Sequence, residues 1–257
     1  MSARPAAPRS PDRRPAPRSL WVVLPTYQEI ENVERVVRAV HAVLGGCGVE
    51  ETAILVVDDS SPDGTAARAR ELARELPGVH VLVRDEREGL GPAYAAGFAH
   101  AVARGADCLL QMDADLSHDP ADIPRLVAAV QAGADIAVGS RYVPGGGVSD
   151  WGLVRRLLSR GGSLYARTLL GVGVRDLTAG FKCLRAEAVA AIDVPSAQAH
   201  GYSFQIEVTY RALRAGLRVV EVPIVFHERS HGRSKMTTRI ALEALVLVPR
   251  LRFTRPR

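Results

Sequence analysis

Cysteine is scarce in this chain: Cys47, Cys108 and Cys183 stand far apart among 257 residues. None forms a Cys-x-x-Cys pair, which argues against structural zinc and a disulfide framework, and for a reducing compartment. No run approaches the roughly 18 consecutive apolar residues that a membrane-spanning helix needs. The Arg/Pro-rich N-terminus has no apolar core, so a secretory signal is not expected. No Gly-x-Gly-x-x-Gly follows the first apolar run, which argues against an NAD-binding dehydrogenase. Gly89-Leu90-Gly91-Pro92 lacks the Lys of a phosphate loop and reads better as a helix start. No nucleic-acid motif is present, so a nucleic-acid partner is not expected.

The charge is unevenly placed. The chain carries +5 overall, but residues 1–19 hold +4 and residues 250–257 another +4, which leaves −3 for the body between. The basic ends suit an anionic lipid surface. Residues 1–19 contain five Pro and five Arg, a composition that buries no core and is expected to be disordered. The remaining length and a 47% hydrophobic content suit one large α/β domain. We expect that domain over residues 20–236, followed by a basic amphipathic segment, 237–257.

Short apolar runs alternate with helical periodicity. The runs 20–24, 53–57, 79–83, 107–112 and 135–138 read as strands. Helices are expected over 29–44, 65–76, 91–104 and 123–131, with Gly or Pro closing several of them. Such alternation predicts a mostly parallel sheet covered on both faces. After residue 140 the pattern changes. Pro144 to Gly147 reads as a flexible loop, 151–170 and 204–215 as helices, and 217–226 as a strand interrupted by Pro223. Residues 227–235 form a polar basic loop, and 237–252 an apolar, basic helix containing Pro249.

The polar clusters gather where strands end. Thr26-Tyr27 follows the first strand, Asp58-Asp59 the second, and Asp113-Ala114-Asp115 the fourth, so all three fall along one rim, where open α/β sheets bind ligands. Asp113 and Asp115 suit a hard cation such as Mg²⁺ or Mn²⁺, which takes one or two carboxylates and fills its shell with phosphate and water. Taken alone, an Asp-x-Asp is a weak sign and more often a solvated turn with two acids. Arg141 follows the fifth strand, and Arg229, Arg233 and Lys235 crowd one short loop. Cations of this kind neutralise a departing diphosphate.

In order, Leu24-Pro25-Thr26-Tyr27-Gln28-Glu29, Val57-Asp58-Asp59-Ser60-Ser61-Pro62-Asp63-Gly64-Thr65 and Met112-Asp113-Ala114-Asp115-Leu116-Ser117-His118 resemble the family 2 glycosyltransferases of GT-A fold. Gly139-Ser140-Arg141-Tyr142, Gly180-Phe181-Lys182 and the Arg229–Lys235 loop narrow the resemblance to the dolichyl- or polyprenyl-phosphate mannose synthases. It covers about residues 20 to 240. The resemblance implies GDP-mannose as donor, a polyprenyl phosphate as acceptor and a divalent metal. By match, Pro25, Tyr27, Glu29, Val57 and Asp59 would line the nucleotide pocket. Asp113, Ala114 and Asp115 would meet metal and diphosphate, with Ser117, where some members carry Gln, as a third ligand directly or through water. Arg141, Arg229 and Lys235 would contact phosphates, and Arg155 would help hold the acceptor. Asp115, Arg141 and Lys235 are the expected catalytic residues.

A lipid phosphate is already an anion and needs no general base, so the expected reaction is a single in-line displacement with inversion. The helices at 151–170 and 237–252 combine apolar faces with arginines and can lie in a membrane interface or face the core. A peripheral position at the cytoplasmic face is expected, with a separate membrane-anchor protein as one means of attachment. A polyprenyl-phosphate glucosyltransferase using UDP-glucose shares most of the motifs, and an inactive nucleotide-binding partner subunit is the rival from another class.

Overall fold

The computed structural model describes residues 15–149, 151–194, 202–228 and 238–253. The first half alternates as the apolar runs require. Strands β1 (Ser19–Thr26), β2 (Glu51–Asp58), β3 (Val79–Val83), β4 (Cys108–Gln111) and β5 (Ile136–Ser140) are separated by helices α1 (Val33–Leu44), α2 (Thr65–Glu75), α3 (Leu90–Val102) and α4 (Ile123–Gln131). The second half adds β6 (Gly147–Val148), α5 (Leu153–Leu170), β7 (Lys182–Arg185), α6 (Ala186–Ile192), α7 (Tyr202–Arg214), β8 (Val219–Pro223), β9 (Val225–Phe226) and α8 (Thr238–Phe253).

Seven strands form one sheet in the order β3-β2-β1-β4-β7-β5-β8. All its neighbouring pairs are parallel except those of β7, which runs antiparallel to both β4 and β5. A mostly parallel sheet with helices on both faces is the architecture expected. Its strands are buried on both sides, as the continuous Val/Leu/Ile runs of β1 and β2 require. Side chains alternating along β1 feed two cores. Leu20, Val22 and Leu24 pack with α1, α2 and α4 residues, while Trp21 and Val23 pack with α3, α6 and α7 residues. Gly97 lets α3 lie close to the sheet, because a Cβ there would meet Val23 Cγ1 at 2.6 Å and Val57 Cγ2 at 2.9 Å.

Two expectations differ from the structure, at the first helix and at Gly147. The first helix begins at Val33 rather than Glu29, because Glu29 to Asn32 forms a turn in which the Glu29 carbonyl accepts from Asn32 and Val33 N–H. The strand expected over 217–226 is interrupted at Pro223, as expected, into β8 and β9. A proline supplies no N–H to a ladder. Gly147, expected in a loop, instead opens β6, which pairs with β9 in a small parallel ladder.

The C-terminal helices form a third apolar cluster. Ala166 and Leu170 of α5 meet Ile206 and Tyr210 of α7 and Val248 of α8. Their outer faces are different: Leu157, Leu158, Leu164 and Val246 are exposed. Among the described residues no helix is long and apolar enough to cross a membrane.

Candidate active site

Parallel register brings the strand ends to one edge. Thr26 lies opposite Asp58 at the ends of β1 and β2, and Gln111 opposite Val23. Two residues beyond Gln111, Asp113 therefore stands level with Pro25. Because β7 runs the other way, its first residue, Lys182, pairs with both Gln111 and Val138 at the same edge. Gln28, Ser60 and Leu116 have left-handed backbone, with φ of 55°, 64° and 60°. They sit in the loops after β1, β2 and β4. Non-glycine residues in this conformation gather at functional sites, where surrounding contacts hold them.

The Asp58–Asp59 pair divides its work. Buried Asp58 accepts from Thr26 Oγ1 at 3.0 Å, Ser61 N at 2.9 Å and Ser61 Oγ at 2.6 Å, which shapes the turn. Asp59, also buried, accepts from Arg84 Nη1 at 2.5 Å and from Gly89 N at 2.8 Å, tying β2 to the start of α3. Arg84 pairs with Glu88 as well. The Arg87 guanidinium lies 3.8 Å over the Tyr27 ring. Glu29 accepts from Asn32 Nδ2 at 2.8 Å. Pro25 is half-buried, and Val57 fully buried. Thus Pro25, Tyr27, Glu29, Val57 and Asp59 come from two adjacent strand ends.

Asp113 and Asp115 occupy the loop after β4. Asp113 is half-buried, and a Cβ at position 180 would stand 3.3 Å from its Oδ2, so Gly180 leaves that carboxylate its room. The Tyr94 hydroxyl stands 3.5 Å from Asp113 Oδ1. Burial, then the charge of Asp113, raises the Tyr94 phenol well above its ordinary range, so it stays protonated. Asp115 is buried and accepts from Ser117 N at 3.0 Å. Ala114 and Ser117 are buried beside it. His227 N donates to Ser117 O at 2.9 Å, so β9 ends beside this turn.

Arg141 is only 6% exposed and grips Asp176 in a bidentate pair, with Nε and Nη2 each 2.7 Å from a carboxylate oxygen. Nη2 also reaches Thr178 Oγ1 at 2.7 Å. Burial alone would raise Asp176, but the charge and hydrogen bonds of Arg141 overrule it and hold the carboxyl below its ordinary value. His118 lies between Phe181 and Phe226, fully buried. Burial lowers it to about 4, and it feels Asp115, Arg141 and Asp176. Lys182, pulled down to about 7 by burial, feels Asp176 and Asp113 and donates to Gln205 Oε1 at 2.7 Å. Asp113, Asp115, Arg141 and Asp176 therefore share one electrostatic neighbourhood.

Arg155 donates to Glu228 Oε1 at 2.8 Å and covers the Trp151 ring at 4.2 Å. Arg229 and Lys235 lie outside the described residues. Sequence reasoning did not single out His118, Asp176, Tyr94 or Gln205. For Lys182 a signal existed: a lysine inside the apolar run Phe181-Lys182-Cys183-Leu184 needs a polar partner if it is buried.

The donor set suits a hard cation shared with a phosphate ligand. Among the described residues no group of three or more His, Cys, Asp and Glu converges as an all-protein metal cage. Two carboxylates and a buried hydroxyl instead leave positions for phosphate and water, which is how Mg²⁺ and Mn²⁺ are usually held.

Residues 21–192 match the family described as Glycosyl transferase family 2. The chain belongs to this family. It is 49% identical over 236 residues to the polyprenol monophosphomannose synthase of Mycolicibacterium smegmatis, covering 91% of this chain and 87% of that protein. It is 46% identical to the undecaprenyl-phosphate mannosyltransferase of Micrococcus luteus, covering 89% and 91%. The glucosyl-3-phosphoglycerate synthase of Mycobacterium tuberculosis, solved with Mn²⁺ and UDP, shares the GT-A fold at 22% identity. Its TM-score is 0.62, over 91% of this chain and 76% of that one.

Proposed function

We propose that this family 2 glycosyltransferase moves mannose from GDP-mannose to a polyprenyl monophosphate, giving polyprenyl-phosphate mannose and GDP with inversion. The convergence of Asp113 and Asp115 with the Arg141–Asp176 pair carries this reading, and the activities named for the two relatives described above agree with it. Pro25, Tyr27, Glu29, Val57 and Asp59 hold the nucleoside. Asp113 and Asp115, with Ser117, would hold Mg²⁺ or Mn²⁺. When bound, the ion neutralises charge on the departing diphosphate.

The chain's own groups do the rest. The acceptor phosphate is an anion at neutral pH, so no side chain must remove a proton. What must be supplied is alignment and relief from repulsion between two phosphate groups. Arg141 offers a positive charge that Asp176 fixes in place, so Asp176 is a positioning residue. Arg155, Arg229 and Lys235 add cations for the acceptor. Burial keeps His118 neutral, so it adds no charge of its own. The enzyme works peripherally at the cytoplasmic face, with a separate membrane-anchor protein as one means of attachment.

The test offers radiolabelled GDP-mannose, UDP-glucose and other nucleotide sugars with a polyprenyl phosphate, and measures label extracted into solvent. GDP-mannose is expected to give the lipid-linked product fastest. Preference for UDP-glucose would replace the mannosyl reading with the glucosyl one, and no transfer from any donor would favour an inactive partner subunit.

A further inference from the structure

A cavity of about 370 Å³ opens at Arg141, and the transfer reaction leaves the other arginines of its wall unexplained. Its wall is made by Arg160, Ser163, Leu164 and Arg167 of α5, by Arg175, and by Arg141 with the loop that follows it. The four α5 positions follow i, i+3, i+4 and i+7, so they share one helix face. Arg160 and Arg175 are exposed and Arg167 is half-buried. None of the three side chains has an ion-pair partner among the described residues, whereas Arg141 and Arg155 are both paired. Ser163 supplies a second, independent sign. It is 3% exposed, yet its Oγ has no hydrogen-bond partner among the described residues. Buried hydroxyls ordinarily have one, so a cavity lined by this serine and by three arginines without an ion-pair partner among the described residues suits an anion with several acceptor oxygens.

The same helix says where that anion comes from. Leu157, Leu158 and Leu164 are 61%, 72% and 62% exposed. Cations bordering an exposed apolar face are the pattern of a helix lying in a lipid interface. Of the arginines that the transfer reading uses, Arg141 lines the cavity but is held by Asp176 and Thr178, and Arg155 does not line it. We propose that this cavity binds the phosphate headgroup of an anionic bilayer phospholipid, distinct from the acceptor, and thereby seats α5 on the membrane. The inference rests on reading the chain as an enzyme with a lipid-borne acceptor.

The test compares the unaltered chain with Arg160→Ser/Arg167→Ser, with Ser163→Val and with a control, Arg104→Ser, whose guanidinium lies at the end of α3. Cosedimentation uses phosphatidylcholine vesicles with and without phosphatidylglycerol. A second measurement follows transfer to a short, water-soluble polyprenyl phosphate without vesicles, and thermal unfolding checks each fold. The double variant is expected to bind the anionic vesicles about tenfold more weakly or worse, and Ser163→Val about threefold. The control and the KM for the soluble acceptor are expected to stay within about twofold. Unchanged vesicle binding by folded variants overturns the proposal, as does equal binding to vesicles without phosphatidylglycerol. A raised KM with vesicle binding retained also overturns it, by making the cavity part of the acceptor's own site. Protection of the unaltered chain by inorganic phosphate, with vesicle binding indifferent to the substitutions, assigns the cavity to free phosphate instead. If the unaltered chain transfers no sugar, the enzyme reading fails while the vesicle comparison still decides the cavity.

Discussion

The buried ion pair between Arg141 and Asp176 controls what mutagenesis can reveal. Removing the guanidinium leaves a carboxylate that is fully buried, with no other ion-pair partner among the described residues. Arg141→Ala is therefore expected to cost about 3–5 kcal/mol of stability at neutral pH, which urea unfolding measures. A loss below about 1 kcal/mol would mean that Asp176 finds water or another cation. His118 gives a second prediction at this scale. Its pKa falls from an ordinary 6.5 to about 4 on folding. The unfolded chain binds the extra proton, so the stability tied to this group is present above pH 6.5 and is lost as pH falls toward 4. The loss is up to about 3 kcal/mol. His118→Phe is expected to flatten this part of the stability profile; an unchanged acid limb would assign it to the carboxylates. The Asp-x-Asp and Arg141 were legible in the sequence because strand ends announce themselves. Asp176 and His118 were not, because their importance comes from partners brought together only by folding.

Among the elements, α8 is the most divided. Val248 is fully buried against α5 and α7, while Val246 is 71% exposed. Val248→Ala is expected to cost roughly 2 kcal/mol, and Val246→Ser to change thermal stability little while weakening vesicle binding. Equal effects of the two on unfolding would mean that α8 has no preferred inner face. The sequence allows both a core-facing and a membrane-facing reading of this segment because the helix has one buried face and one exposed face. The five strands of the first half were legible because each is an apolar run bounded by Gly, Pro or Asp. Strand β7 was not. It has four residues, starts with Lys182 and runs antiparallel between β4 and β5. Neither periodicity nor composition marks so short an insertion into a parallel sheet.

For the whole molecule, the decisive feature is that loops distant in sequence meet at one sheet edge. The crossing from β1 to β4 sets Thr26, Asp58, Asp113 and Asp115 along that rim, and the reversed β7 adds Lys182 to it. If the rim holds a divalent ion against a nucleoside diphosphate, GDP affinity must depend on the metal through Asp115. Calorimetric titration of GDP into the protein, with Mn²⁺ and then with a chelator, tests this most directly. The expected result is at least tenfold tighter binding with metal, a gain of roughly 1.4 kcal/mol or more, which disappears in folded Asp115→Asn. Equal affinity with and without metal, or a metal-dependent gain that survives Asp115→Asn, would contradict it.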